Sequence, residues 1–178
     1  MKINIIGPSA SGKTTLARKL SNGFNLKHIN LDYVLFRHVG KKNRIAVKKD
    51  KYLAEIKGIV KGDNWLIEGI NPFNIVLKNA EVIIWLKPSL LSALKRQWKR
   101  YFTDSRQRRE HGFINNVKLS RYIIRQYLGN PNKKTDPKGT WVKSVNRVLE
   151  RYQDKVMVVN SNSELSSVVE KVKLLEKK

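Results

Sequence analysis

The sequence contains no cysteine, which excludes disulfides and thiolate zinc sites and agrees with a reducing compartment, so a cytoplasmic protein is expected. No apolar run approaches the ~20 residues of a membrane-spanning helix. The N-terminus reads as a short strand rather than as a basic segment followed by an apolar one, so neither a membrane partner nor a secretory leader is expected. Internal repeats and low-complexity tracts are lacking too. With 178 residues, 40% of them hydrophobic, one compact domain spanning 1–178 is expected. Acids are scarce: 14 Asp and Glu stand against 37 Lys and Arg, a formal charge of +23. That imbalance is beyond what solubility requires and points to an anionic partner, either an acidic small molecule or nucleic acid, although cations on solvated helix faces account for part of it.

What the chain does have is Gly7-Pro8-Ser9-Ala10-Ser11-Gly12-Lys13-Thr14, a Gly-x-x-x-x-Gly-Lys-Thr run. The preceding Lys2-Ile3-Asn4-Ile5-Ile6 suits a short buried strand, and Leu16, Ala17 and Leu20 follow at helical spacing until Asn22-Gly23. A glycine-rich loop in that setting turns its backbone N–H groups toward phosphate oxygens at a helix N-terminus, where the helix dipole favours anions. Gly7, Ser9, Ala10, Ser11, Gly12, Lys13 and Thr14 are therefore the expected ATP-binding residues. In this pattern Lys13 meets the β- and γ-phosphates and the Thr14 hydroxyl ligates Mg2+.

Further along, Lys27 to Leu31 alternates as a second strand ending at Asp32, and a polar stretch from Arg37 to Lys51 precedes a helix carried by Tyr52, Leu53, Ile56, Ile59 and Val60. Trp65-Leu66-Ile67 predicts a third strand ending at Glu68-Gly69, and residues 81–86 a fourth, stopped by Pro88. Ser89 can cap a helix whose inward stripe is Leu90, Leu91, Leu94, Trp98 and Tyr101. An arginine-dense segment (103–112), a helix from Val117 to Leu128, a mobile loop (130–139) and a helix from Trp141 come next. A fifth strand (155–159) and a terminal helix, with Ser161 and Glu164 at capping-box spacing, complete the chain. Strands alternating with helices predict a three-layer α/β fold, a five-stranded parallel sheet with helices on both faces. The four tryptophans fall in apolar patterns and are expected in the core. His28, His38 and His111 lack metal-ligand spacing.

The run Gly7 to Thr15, the strand-end Asp32, Trp65-Leu66-Ile67-Glu68-Gly69 and the arginine-rich segment after the fourth strand together resemble small bacterial P-loop proteins described as DNA topology modulation (FlaR-like) proteins, which are in turn similar to adenylate kinase. The likeness follows the order of residues 1–128 and continues more weakly through the last strand. It implies a P-loop NTPase fold with strand one central, an acceptor-binding insertion at 33–63, and an adenylate-kinase-like lid with its flanking helices at 95–128. It also implies that Thr15 lies near the α-phosphate. Where such proteins often carry Asp-Gly-Asn-Tyr after the third strand, this chain has Glu68-Gly69-Ile70-Asn71.

Phosphoryl transfer needs phosphates fixed in line, charge neutralised in the transition state and an oriented acceptor. Lys13 serves the first two needs. Asp32, at the carboxyl end of a strand, is expected to orient an acceptor hydroxyl and take its proton, with capping of the following turn as its structural alternative. Glu68 is expected to reach Mg2+ together with Thr14, as a Walker B-like strand end would. Lys95, Arg96, Lys99, Arg100, Arg106, Arg108 and Arg109 face a single acid, Asp104. Of these, Arg100, Arg106 and Arg109 are the expected lid residues over the phosphates. Cations from Arg37 to Lys51 favour an acidic acceptor. The sequence thus reads as an ATP-dependent phosphotransferase acting on a nucleotide, nucleoside or other small acceptor. The alternative is a nucleic-acid-binding P-loop ATPase or a polynucleotide-end kinase.

Overall fold

The computed structural model describes residues 1–39, 43–129 and 140–176. Along the chain run β1 (Lys2–Ile6), α1 (Lys13–Gly23), β2 (Lys27–Asn30), α2 (Leu31–Leu35), β3 (Phe36–Val39), β4 (Asn43–Ala46), α3 (Lys49–Val60) and β5 (Trp65–Gly69). They are followed by α4 (Asn74–Asn79), β6 (Val82–Leu86), α5 (Leu90–Thr103), α6 (Ser105–Leu128), α7 (Trp141–Leu149), a 3-10 turn (Glu150–Lys155), β7 (Val156–Val159) and α8 (Asn162–Glu176). Five strands form one parallel sheet in the order β2-β5-β1-β6-β7, so β1 is central.

Strand alternation divides the core into two. Ile3, Ile5, Leu66 and Ile84 face α1 and α8, meeting Leu16, Leu20, Val168 and Val172. Ile6, Trp65, Ile67, Ile83 and Trp85 face the other way, onto Ile56, Val76, Leu77 and Val145 of α3, α4 and α7. Both sheet faces are covered, which is why the strands read as continuous apolar runs. Among the described residues no helix is long and apolar enough to cross a membrane.

Four expectations need correction. The second strand ends at Asn30, and Leu31 and Asp32 already belong to α2. The stretch from Arg37 to Lys51, read as merely polar, contains the antiparallel pair β3 and β4 and the first turn of α3. Alternation there is broken by cations, which hides the strands from a hydrophobicity pattern.

On α5 the buried residues are Ala93 and Gln97, while Leu91 is 72% exposed. This helix packs on α6, so a small and a hydrogen-bonding residue form its inner face. Trp98 accordingly lies outside both core clusters, partly exposed, with its ring centroid 5.8 Å from Phe102 and 5.9 Å from Phe113. The arginine-dense segment is helical as well, since α6 begins at Ser105 and bends at Gly112, where φ is 62°. The loop expected at 130–139 lies outside the described residues.

Candidate functional site

The phosphate loop is held in shape by its neighbours. A Cβ at Gly7 would stand 2.5 Å from Ser11 Oγ and 2.9 Å from the Leu86 carbonyl oxygen, so the close approach there requires glycine. Ala10 (φ 59°) and Gly12 (φ 98°) are both left-handed, turning the backbone in the manner of an anion-binding nest. The helix that follows has no acid in its first turn, which leaves its positive end available to an anion.

Lys13 reaches back under this loop, its Nζ donating to the Gly7 carbonyl at 2.9 Å and the Pro8 carbonyl at 2.8 Å. Burial lowers its pKa to about 8, and the neighbouring Glu68 and Asp32 carboxylates offset part of that shift. One cation and two acids from three separate stretches of chain therefore share one locus.

Glu68, only 1% exposed, pairs in register with Ile5 and Asn30 and so lies on the α1 face of the sheet. Its Oε2 accepts a hydrogen bond from Thr14 Oγ1 at 3.1 Å, and its Oε1 lies 3.0 Å from His28 Nε2 and 3.3 Å from Asn30 Nδ2. Thr14 and Glu68 thus supply adjoining hard oxygen donors, a set that fits Mg2+, which takes few protein ligands beside phosphate oxygens and water. Among the described residues there is no cluster of three or more His, Asp or Glu arranged to hold a cation.

Asn30 also caps α2, its Oδ1 accepting the Asp32 N–H at 2.8 Å. Capping is therefore Asn30's role and not Asp32's. Gly69 lets α2 approach, for a Cβ there would sit 2.8 Å from Leu31 Cδ1. The Asp32 carboxylate acts on Lys13 and also on Tyr122 of α6, whose hydroxyl is pushed up by burial and then by Asp32.

The α5–α6 hairpin grips the loop from the other side. Arg96 Nη1 donates to the Ser11 carbonyl at 2.6 Å, and Gln126 Oε1 accepts the Ser9 N–H at 3.1 Å. Gln97 Nε2 donates to Asn116 O at 2.7 Å and to Asn116 Oδ1 at 2.8 Å, while Ser120 Oγ donates to Gln97 Oε1 at 2.9 Å. Tyr127 OH donates to Pro88 O at 2.7 Å; burial pushes this hydroxyl up to about 12, with Arg96 partly opposing. Beside the loop, Ser11, Leu86, Arg96, Val159, Asn160 and Leu165 line a narrow recess.

Of the residues expected in the site, Gly7 to Thr14, Asp32 and Glu68 gather here, and Thr15 is exposed on the first turn of α1. Arg100 is exposed on α5, one turn beyond Arg96, and the side chains of Arg106 and Arg109 lie outside the described residues. Sequence reasoning passed over His28, Asn30, Tyr122 and Gln126, and counted Arg96 without choosing it. A signal existed for His28 and Asn30, which alternate on a strand beside Asp32. Arg96 and Gln126 stand out only as polar residues on helices that flank the motif.

Neither a protein-family model nor a curated protein matches the sequence. Solved structures do match it in shape. Shikimate kinase from Bacteroides thetaiotaomicron aligns with a TM-score of 0.52 and 14% identity over 100% of this chain and 99% of that one. Deoxyadenosine kinase from M. mycoides with bound dATP aligns with the same score and identity over 97% of this chain and 100% of that one. At this identity the likeness concerns the fold alone, a three-layer α/β architecture with a five-stranded parallel sheet that this chain shares with both. It does not reach the narrower topology-modulation (FlaR-like) family.

Proposed function

We propose that the protein transfers the terminal phosphoryl group of ATP to a hydroxyl of a small acceptor such as a nucleotide or nucleoside. The observation that carries this reading is the convergence of Lys13, Asp32 and Glu68 at the mouth of the phosphate loop. The two structural neighbours bear the names of kinases, which adds support at the level of fold. The narrower FlaR-like resemblance rests on the residues quoted for it and adds no DNA chemistry to this proposal.

In this mechanism the loop amides and Lys13 take the donor phosphates, the ammonium exchanging the Gly7 and Pro8 carbonyls for phosphate oxygens. Asp32 orients the acceptor hydroxyl and accepts its proton as the new O–P bond forms and the bond to the β–γ bridging oxygen breaks, releasing ADP. Lys13 and Arg96 offset the charge that builds on the departing diphosphate. Thr14 and Glu68 would hold Mg2+, which supplies further neutralisation of the β- and γ-phosphate oxygens. Arg100, Arg106 and Arg109 belong to the proposed lid, and the cationic segment after Asp32 favours an acidic acceptor.

A screen of candidate acceptors with ATP and Mg2+, read as ADP formation, tests the reading. Asp32→Asn is expected to lower turnover on an accepted substrate by about 100-fold or more while leaving ATP affinity close to wild type. Full turnover in that variant would remove Asp32 from the mechanism, and no ADP formation with any acceptor would overturn the proposal.

A further inference from the structure

Gln126 is 4% exposed and lies on the inner face of α6. Its carboxamide oxygen is engaged by the Ser9 N–H, yet its Nε2, fully enclosed, has no hydrogen-bond partner among the described residues. A buried N–H without an acceptor is costly, and a side chain needed only to fill space there would be apolar. Two residues beyond Ser9 along the loop, the Ser11 hydroxyl, 2% exposed, also lacks a partner among the described residues. Two unused hydroxyl or amide donors beside a nest of backbone N–H groups call for a ligand rich in acceptor oxygens. A phosphate group has only such oxygens to offer at its periphery.

The position of Gln126 along α6 says which phosphate. Tyr122, whose hydroxyl feels the Asp32 carboxylate, precedes Gln126 by one helical turn and so shares its face. Gln126 therefore touches the loop through Ser9 and sits one turn along α6 from the residue whose hydroxyl Asp32 influences. On the phosphotransferase reading, the loop holds the donor and Asp32 the acceptor, so the transferred group lies on the side of the loop nearest to Tyr122 and Gln126.

Resting on the phosphotransferase reading above, we propose that Gln126 binds the terminal phosphoryl group of the donor: Nε2 donates to one of its oxygens while Oε1 stays on the Ser9 N–H. The residue then distinguishes a triphosphate from a diphosphate.

The test is the affinity of the full chain for ATP and for ADP, each with Mg2+, measured by calorimetry on wild type, Gln126→Met and Gln126→Glu. Gln126→Glu is isosteric and keeps an oxygen for the Ser9 N–H, whereas Gln126→Met buries no charge, and circular dichroism establishes that each variant is folded before affinities are compared. Loss of one charge-assisted hydrogen bond, to which Gln126→Glu adds repulsion of the terminal phosphate, predicts that ATP affinity falls at least about tenfold further than ADP affinity in both variants, beyond any loss the two nucleotides share through the Ser9 contact. Equal losses for the two nucleotides would make Gln126 a support of the loop alone and overturn the assignment, as would no loss for either. If wild type binds neither nucleotide, the phosphotransferase reading itself falls, a result distinct from wild-type binding that Gln126 does not influence.

Discussion

Lys13 is where the chemistry of the site is most sensitive to conditions. Its pKa of about 8 arises first from burial. Below that value both folded and unfolded chains carry the ammonium, and the cost of burying it is present in full. Between about 8 and the ordinary 10.5, the unfolded chain binds a proton that the folded one has lost, so stability of the free protein rises with pH through this window. Nucleotide binding has the opposite sign, because phosphates need the charged form. ATP affinity is predicted to fall as pH rises above about 8, and binding there takes up a proton. Calorimetry in two buffers of different ionisation heat measures that uptake, and an affinity flat across the window would contradict it. Lys13→Ala should keep the fold and lose ATP affinity by about 100-fold, as expected for removing the charge-assisted contacts of one cation. Gly7→Ala is predicted to fail differently: its Cβ, 2.9 Å from the Leu86 carbonyl oxygen, forces backbone to move. A loss of about 1–3 kcal/mol in urea unfolding is expected, together with weakened nucleotide binding.

At the scale of elements, the α5–α6 hairpin is joined internally by Gln97, Asn116 and Ser120 and to the loop by Arg96 and Gln126. Gln97→Leu should leave the Asn116 and Ser120 groups without their partner and destabilise the protein by about 1–3 kcal/mol in urea unfolding. Amides of α5 and α6 are predicted to exchange more slowly once ATP and an acceptor are bound, since the helices then rest on a filled loop. Exchange indifferent to ligands would reduce the hairpin to a static cover. These helices also mark how far the sequence was legible. The five parallel strands are short apolar runs, and the glycine-rich loop between β1 and α1 is marked by its spacing, so the position of both could be read directly. The α5 inner face could not: hydrophobic periodicity gives weight to Leu91 and none to Gln97, although Gln97 is the residue buried. In the same way Glu68 was visible as a strand-end acid, whereas His28 and Asn30 gain meaning only when β2 and β5 are in register.

For the molecule as a whole, the +23 charge makes weak binding to DNA at low salt an expected property whatever the activity, because released counterions drive it. Moderate salt should detach DNA while Mg·ATP remains bound. Reciprocal coupling of ATP and DNA affinities at physiological salt, with no acceptor phosphorylated, would instead favour a nucleic-acid-dependent ATPase. The central place of β1 also orders assembly in time. Lys2 pairs with Trp65 and Ile3 with Val82, so the strand that leads into the glycine-rich loop must wait, unpaired and apolar, while the ribosome makes β5 and then β6, nearly half of the 178 residues. Such distant pairing slows folding and exposes a hydrophobic strand to wrong partners. The proposed nucleotide site is therefore not set when its own loop is made but only once β6, α5 and α6 have closed around the earliest strand, and a ligand added to a refolding chain can capture only what has already found its centre.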